Sequence, residues 1–153
     1  MNQANKDILF LDPVCTHNIW GGTRLRTEFG YPVEGDDIGE CWGISAHPNG
    51  DGSIRNGVYA GMKLSKVWEE HPEVFGNLAY DRFPLLTKII DAKADLSIQV
   101  HPDDAYAKEH ENGSFGKTEC WYIMDAPENA TLVIGHNAKT KEELASMIHE
   151  GRW

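Results

Sequence analysis

The stretch IGECWGISA, residues 38–46, decides the predicted fold because its composition is typical of a β-strand. The following residues, HPNGDGS, contain Asn49-Gly50 and Asp51-Gly52, two dipeptides that favour tight turns. A short extended segment is expected at 53–59. This region therefore predicts a strand, a turn and a second short strand.

Further strands are predicted on the C-terminal side of this stretch. PLLTKIID at 84–91 and DLSIQVH at 95–101 are separated by a brief polar turn. TECWYIM at 118–124 and ATLVIG at 130–135 predict a hairpin. On the N-terminal side, Trp20-Gly21-Gly22 predicts a turn.

Three short helices complete the prediction. Ser65 is expected to cap a helix that ends at Glu70, before Pro72. Asp103 or Asp104 caps a second helix, which runs to Glu111 and is closed by Asn112-Gly113. The third begins with a capping box from Thr140 to Glu143, carries an apolar stripe of Leu144, Met147 and Ile148, and ends at Gly151. Many short strands with a few helices indicate a mainly β sandwich or barrel and not a parallel βαβ sheet.

The composition limits the class of protein. A chain of 153 residues suits one domain, and no apolar run approaches the roughly 20 residues that a membrane helix needs. The formal net charge of −10 opposes a nucleic-acid-binding surface. The N-terminal sequence MNQANKDILFLDP lacks the features of a secretory signal, so we expect a cytoplasmic protein. Its three cysteines, Cys15, Cys41 and Cys120, are expected to be reduced, with Cys41 and Cys120 in the core.

The segment LSIQVHPDD, residues 96–104, carries a candidate metal site. In a strand, Ser97, Gln99 and His101 share one face, since successive side chains point to opposite sides. Together with Glu119 on a later strand, Gln99 and His101 offer the nitrogen and oxygen donors that suit zinc or a similar divalent ion. The spacing alone favours a structural alternative, in which these side chains only satisfy the polar face of a strand.

Two lysines could recognise an anion. Lys88 interrupts the apolar run LLTKII, and Lys117 follows Gly116 and precedes Glu119 by two residues. Taken separately, each is explained as well by a lysine whose stem lies on apolar surface while its ammonium group reaches water. Taken together, they suggest a pair of cations for an anionic substrate.

With these residues in view, the chain resembles the N-terminal part of the type I mannose-6-phosphate isomerases, zinc enzymes of the cupin superfamily, and most of all their short bacterial form. The resemblance runs over nearly the whole chain. The stretches that carry it are WGG at 20–22, IGECWGISAHPNG at 38–50, FPLLTKIIDA at 83–92, LSIQVHPDDAYA at 96–107 and GKTECWYI at 116–123.

The resemblance implies a fold and a set of site residues. The fold would be a cupin-type jelly-roll β-sandwich or barrel with a few short helices, and residues 1–153 would be a single N-terminal portion of a longer isomerase. Gln99, His101 and Glu119 would bind one Zn²⁺, although other divalent ions could replace it. The substrate would contact Ser97, Lys88 and Lys117, with Lys117 also catalytic.

The implied reaction interconverts mannose 6-phosphate and fructose 6-phosphate through a cis-enediol. The expected partner is therefore a phosphosugar, with no nucleic acid or membrane involved, while the oligomeric state is left open. The family's last histidine ligand and its catalytic arginine lie further along the chain than Trp153. We therefore expect an incomplete and inactive fragment; the alternative is a non-catalytic cupin-like module that binds a metal or a sugar phosphate.

Overall fold

The computed structural model describes residues 8–152. Residues 1–7, which contain part of the N-terminal sequence used to argue against a secretory signal, lie outside this range, as does residue 153. The chain divides into two compact units, one ending at Leu96 and the other beginning at Ser97. The single domain over 1–153 stays a prediction.

The first unit is built around one central strand. The strands are β1 (Leu11–Asp12), β2 (Val14–Gly22), β3 (Ile38–His47), β4 (Gly50–Asp51), β5 (Ser53–Ile54) and β6 (Leu86–Ile90). The central strand β3 pairs antiparallel with β2, β4 and β6, and β1 pairs antiparallel with β5. The predicted strands at 38–46 and 84–91 are confirmed, and they are neighbours in this sheet.

Two turn predictions differ from the structure. Gly50 already belongs to β4 and pairs with His47, so the loop consists of Pro48 and Asn49, one residue earlier than predicted. The turn predicted at 20–22 is wrong because these residues end β2. A Cβ atom on Gly21 would collide with the backbone carbonyl of Asp37, so this glycine permits close strand contact and not a change of direction.

Short helical segments surround the sheet of the first unit. They are α1 (Arg24–Thr27), a 3₁₀ turn (Gly57–Tyr59), α2 (Leu64–Glu70) and a second 3₁₀ turn (Pro72–Phe75). The predicted end of α2 before Pro72 is confirmed, but Ser65 is not its cap, because its hydroxyl donates to Asp51 Oδ2 at 2.5 Å. The extended segment predicted at 53–59 is limited to β5.

Two apolar clusters form the core of the first unit. One consists of Ile54, Tyr59, Leu64 and Val67, and the other of Leu25, Ile38 and Cys41. All three cysteines are free, and the predicted burial of Cys41 is confirmed. Cys15 lies opposite Cys41 across the β2–β3 ladder, where burial, helped by the neighbouring Cys41 thiol, raises the pKa of Cys15 to about 12.

The second unit contains two helices whose ends follow the prediction. These are α3 (Asp104–His110) and α4 (Lys141–His149). Asp103 Oδ1 accepts a hydrogen bond from the backbone of Tyr106 at 2.8 Å, and Thr140 Oγ1 accepts one from the backbone of Glu143 at 3.1 Å. Asn112 and Gly113, with φ of 53° and 75°, end the helical region after α3.

The strands predicted at 95–101, 118–124 and 130–135 are wrong for the described residues. From position 97 to position 152 the structure contains no β-strand. A strand is defined by ladder hydrogen bonds to a neighbour, and these segments find no such neighbour in the second unit. Cys120 is consequently exposed, and its predicted place in the core is also wrong.

The mainly β architecture with a few short helices is confirmed, although residues 8–152 form no closed barrel. Within the same range, no helix has both the length and the apolar character needed to cross a membrane.

Candidate metal centre

The second unit brings three of the predicted site residues together. His101 Nε2 lies 3.3 Å from Glu119 Oε1, and Lys117 Nζ lies 3.4 Å from Glu119 Oε2. The indole of Trp121 donates to Glu119 Oε1 at 3.2 Å. Glu119 is therefore the centre of this cluster, since each of its two oxygens has a different charged or polar neighbour.

The backbone around Gly116 explains how distant parts of the sequence meet here. Gly116 N donates to Asp104 Oδ1 at 2.8 Å, and Lys117 N donates to the carbonyl of Pro102 at 3.0 Å. A Cβ atom on Gly116 would lie 2.5 Å from Asp104 N, which is too close for any other residue without rearrangement. The glycine thus lets the chain pass against the start of α3, and this contact places Glu119 beside His101.

Electrostatics favour the charged form of Glu119. Partial burial raises the pKa of its carboxyl, but the Trp121 hydrogen bond and the charges of Lys117 and His101 outweigh that effect and lower the pKa below its usual range. At neutral pH Glu119 is consequently a carboxylate. A carboxylate is the form that can bind a metal ion.

Ser97 and Gln99 form a separate pair in the same unit. Gln99 Nε2 donates to Ser97 Oγ at 2.8 Å. Among residues 97–152, no hydrogen bond or ion pair joins Gln99 to His101 or Glu119. The side-chain oxygen of Gln99 is not used by this pair, and an amide oxygen is the donor that a metal ion would take.

One distance in the cluster has the length expected between two ligands of a metal ion, and it is also the distance of a direct ion pair between His101 and Glu119. Two donors at about 2.0–2.1 Å from a tetrahedral zinc ion are separated by about 3.4 Å. The 3.3 Å between His101 Nε2 and Glu119 Oε1 matches this separation. Among residues 8–152, no group of three or more His, Cys, Asp or Glu side chains is arranged to hold a metal ion, so His101 and Glu119 form a pair only.

Lys88 lies in the first unit and is already paired. Its Nζ atom is 3.1 Å from each carboxylate oxygen of Glu40 and lies 4.5 Å from the centre of the Trp42 ring. Trp42 also donates to Glu40 Oε2 at 2.6 Å. The side chains of Lys88 and Glu40 are only 23% and 16% exposed, so this ion pair is largely withdrawn from water.

Glu40 and Trp42 belong to this charged cluster although no sequence motif had singled them out as site residues. A carboxylate in the middle of a predicted strand indicates such a cluster, because a charge that is shielded from water requires a charged or hydrogen-bonding partner. The identity of that partner depends on the strand register. Only the pairing of Trp42 with Lys88 across β3 and β6 reveals it.

Residues 8–123 match the family described as phosphomannose isomerase type I, catalytic domain. The chain belongs to this family. The resemblance suggested by the sequence motifs is therefore confirmed.

The similar proteins come from bacteria. The mannose-6-phosphate isomerase ManA of Bacillus subtilis is 56% identical over 145 residues, and so is the mannose-6-phosphate isomerase of Streptococcus mutans. Each alignment covers 95% of this chain and 46% of the relative. The chain thus spans about half the length of the curated relatives it matches.

The fold agrees with that of a solved family member. The crystal structure of the mannose 6-phosphate isomerase from Bacillus subtilis superposes with a TM-score of 0.92 at 56% identity, covering 95% of this chain and 46% of the other. The predicted cupin-type, mainly β fold is confirmed by this match.

Proposed function

We propose that this chain supplies the metal-binding half of an active site that interconverts mannose 6-phosphate and fructose 6-phosphate. The observation that carries the proposal is the cluster of His101, Lys117 and Glu119, found in a chain of the type I phosphomannose isomerase family. The names of the relatives support the choice of substrate and reaction. Since the chain spans 46% of these relatives, we expect it to be inactive by itself.

Zinc is the proposed metal, with Gln99, His101 and Glu119 as its protein ligands. The tetrahedral separation of His101 Nε2 and Glu119 Oε1 and the carboxylate form of Glu119 support this assignment. When bound, the metal would supply electrostatic stabilisation for negative charge on the sugar oxygens.

The reaction moves a proton between C1 and C2 of the sugar through a cis-enediol, and charge develops on the neighbouring oxygens. Lys117 is the proposed catalytic residue. Its ammonium group, 3.4 Å from Glu119 Oε2, can donate a hydrogen bond or a proton to the sugar oxygen on which negative charge develops. Glu119 orients the ammonium group, and Trp121 fixes the other oxygen of the same carboxylate.

Ser97 and Lys88 are proposed to contact the substrate. The hydroxyl of Ser97 accepts from Gln99 and can still donate its own hydrogen to a sugar oxygen. Glu40 largely neutralises the charge of Lys88 and would repel a phosphate group. We therefore assign Lys88 to a sugar hydroxyl group and not to the phosphate.

A chimera tests the catalytic assignment. Residues of this chain would replace the 145 matched residues of the Bacillus subtilis ManA protein, to which they are 56% identical. We expect the chimera to isomerise mannose 6-phosphate in a coupled assay, and Lys117→Met to lower kcat by about 10²–10⁴-fold. Lys108→Met, on the solvent-exposed part of α3, is the matched control. A chimera that folds and binds zinc but leaves mannose 6-phosphate unchanged would refute the substrate assignment.

Metal content is tested on the 153-residue chain itself. Elemental analysis after dialysis should find one zinc per chain, and both His101→Ala and Glu119→Gln should remove it. His110→Ala and Glu109→Gln, an exposed pair on α3, should retain the metal. Retention of zinc in the His101 and Glu119 variants would contradict the proposed ligands.

The second candidate is a non-catalytic module that binds a metal or sugar phosphate. Titration calorimetry with mannose 6-phosphate, with and without zinc, separates the candidates when combined with the chimera assay. Tight binding together with an inactive chimera favours the module. A cytoplasmic location and the lack of a nucleic-acid or membrane partner remain predictions from the sequence.

A further inference from the structure

Two cysteines lie opposite each other in the sheet of the first unit and take no part in the proposed reaction. Cys15 of β2 and Cys41 of β3 are direct partners across the antiparallel ladder, so both side chains stand on the same face of the sheet. Their thiols share a side-chain hydrogen bond, and both cysteines are free. The two sulfur atoms are therefore close neighbours that no covalent bond joins.

The surroundings of this cysteine pair are apolar side chains and one hydroxyl group. Cys41 is fully buried in the cluster that it forms with Leu25 and Ile38, and the half-buried Cys15 packs against that cluster. Tyr31 packs there too, and its hydroxyl group shares a hydrogen bond with the thiol of Cys41. Cys15 thus connects the pair with water, and only a small ion could contact both sulfur atoms.

Two sulfur donors select a particular class of metal ion. Thiolate is a soft ligand of the kind that copper(I) prefers. Copper(I) is satisfied by two thiolates in a line, whereas a structural zinc ion takes four ligands. Among residues 8–152, no group of three or more His, Cys, Asp or Glu side chains is arranged to hold a metal ion, so the pair has no further ligand of these types. The donor set therefore excludes structural zinc and fits copper(I).

The ladder provides the separation that such an ion needs. Directly opposed residues of antiparallel strands have Cβ atoms about 4.5–5.5 Å apart. Metal–sulfur bonds of about 2.3 Å, the length found for zinc, would place two sulfur atoms in a line about 4.6 Å apart. Rotation of the Cys15 and Cys41 side chains about their Cα–Cβ bonds is enough to change a hydrogen-bonded pair of thiols into this arrangement.

A disulfide is the alternative use of two neighbouring cysteines, and the environment of the pair opposes it. Oxidation and disulfide exchange proceed through the thiolate. Burial, with smaller contributions from Cys41, raises the pKa of Cys15 to about 12, so this thiol keeps its proton at neutral pH. Cys41 has no exposed surface that an oxidant could reach. The pair is therefore expected to stay reduced and available to a metal ion.

We propose that Cys15 and Cys41 form a two-coordinate site for copper(I), built entirely from the first unit. The ion would bridge β2 and the central strand β3, and each thiol would release one proton to water on binding. Two thiolates and one copper(I) ion together carry a single negative charge. The Tyr31 hydroxyl group would donate to the Cys41 sulfur and stabilise that charge in the apolar cluster.

The test is an anaerobic titration of the 153-residue chain with copper(I) against bathocuproine disulfonate, a chromogenic competitor. One copper(I) ion per chain should bind. Cys15→Ala and Cys41→Ala should each weaken binding by about 100-fold or more, because loss of a direct ligand costs at least as much as loss of an outer-shell partner. Cys120→Ala, at the exposed cysteine of the second unit, is the matched control and should bind like the wild type.

X-ray absorption at the copper edge tests the same site in the unaltered chain, so the proposal does not depend on the folding of a variant. Two sulfur ligands and no nitrogen ligand are expected. A nitrogen ligand, the absence of copper(I) binding, unchanged affinity in Cys15→Ala or lost binding in Cys120→Ala would overturn the proposal. Zinc content and isomerase activity are measured separately, so the copper(I) site and the proposed function can fail independently.

Discussion

The two units of this chain differ in how many apolar side chains they bury. Eight of the nine buried apolar residues of the described chain belong to the first unit, and the second unit contributes only Ala107. The first unit has strands that pair with one another and buries two apolar clusters, although side chains such as Ile19 and Val58 stay exposed. The second has helices with well-formed ends but no sheet, and its large apolar residues remain exposed.

The same contrast applies to charge. The Glu40–Lys88 pair sits on a sheet with side-chain exposures of 16% and 23%, whereas Glu119 and Lys117 are 37% and 48% exposed. Local hydrogen bonds are enough to form a helix cap or a charged cluster. To bury a helix cap or a charged cluster, a second layer of structure must pack over it. The described part of the second unit therefore has local structure without a core of large buried apolar side chains.

The largest expected effect tests the core of the first unit. Ile38→Ala should lower the free energy of unfolding by about 2–5 kcal/mol, because it opens a cavity in a fully packed cluster. Ile19→Ala, at a position that is 100% exposed, is the matched control and should change stability by about 1 kcal/mol or less. Urea denaturation followed by tryptophan fluorescence measures both. Equal losses of stability in Ile38→Ala and Ile19→Ala would contradict the difference between buried and exposed positions in the first unit.

The next largest effect concerns the Glu40–Lys88 ion pair, which is largely shielded from water. Glu40→Gln should destabilise the first unit by about 1–3 kcal/mol, because Lys88 loses a charged acceptor in a poorly hydrated place. Glu28→Gln removes an exposed partner of Arg24 on α1 and should cost about 0.5 kcal/mol or less. Denaturation curves of the two variants give their free energies of unfolding. A smaller loss of stability in Glu40→Gln than in Glu28→Gln would contradict this prediction.

Gly116→Ala tests whether the backbone contact organises the metal centre. The added Cβ would collide with Asp104 N, so we expect a loss of about 1–3 kcal/mol and weaker zinc binding. Gly135→Ala, where the Cβ meets no atom within 4 Å, should leave both properties unchanged. Zinc titration with a chromogenic competitor reports the binding. Unaltered zinc affinity in Gly116→Ala would show that the contact is dispensable.

The smallest effect is the acid dependence of Glu119. Because its folded pKa lies below the unfolded value near 4.5, its stabilising contribution is present above that value and is lost as pH falls through the folded pKa. When the pH is lowered below 5, the melting temperature of the wild type should therefore fall slightly more than the melting temperature of Glu119→Gln. The two melting curves should run parallel with pH if Glu119 makes no such contribution.

The sequence predicted elements that depend on neighbours along the chain. The Thr140 and Asp103 caps and the strands at 38–46 and 84–91 are found, since capping and strand propensity are encoded locally. The strands predicted at 118–124 and 130–135 fail because strand formation needs a partner that propensity cannot supply.

The same reasoning explains what was found of the candidate site. His101, Lys117 and Glu119 lie together because hydrogen bonds from Gly116 N and Lys117 N join their segments, whereas Gln99 pairs with Ser97. The Glu40–Lys88 pair could not be derived, since it depends on the register of β3 against β6. Periodicity indicates which face a residue occupies, but it does not indicate which residue lies opposite.

The close passage of Gly116 against the start of α3 has a consequence for redesign. The spacing between positions 101 and 119 is set by two hydrogen bonds from main-chain N–H groups, one to the Asp104 carboxylate and one to the Pro102 carbonyl, and not by the side chains at positions 101 and 119. The side chain at a proposed ligand position can thus be replaced while the backbone frame, the hydrogen-bonded main chain around Gly116, stays unchanged. His101→Cys would offer a softer donor from the same backbone position, and selectivity should shift towards thiophilic ions while the frame keeps its shape.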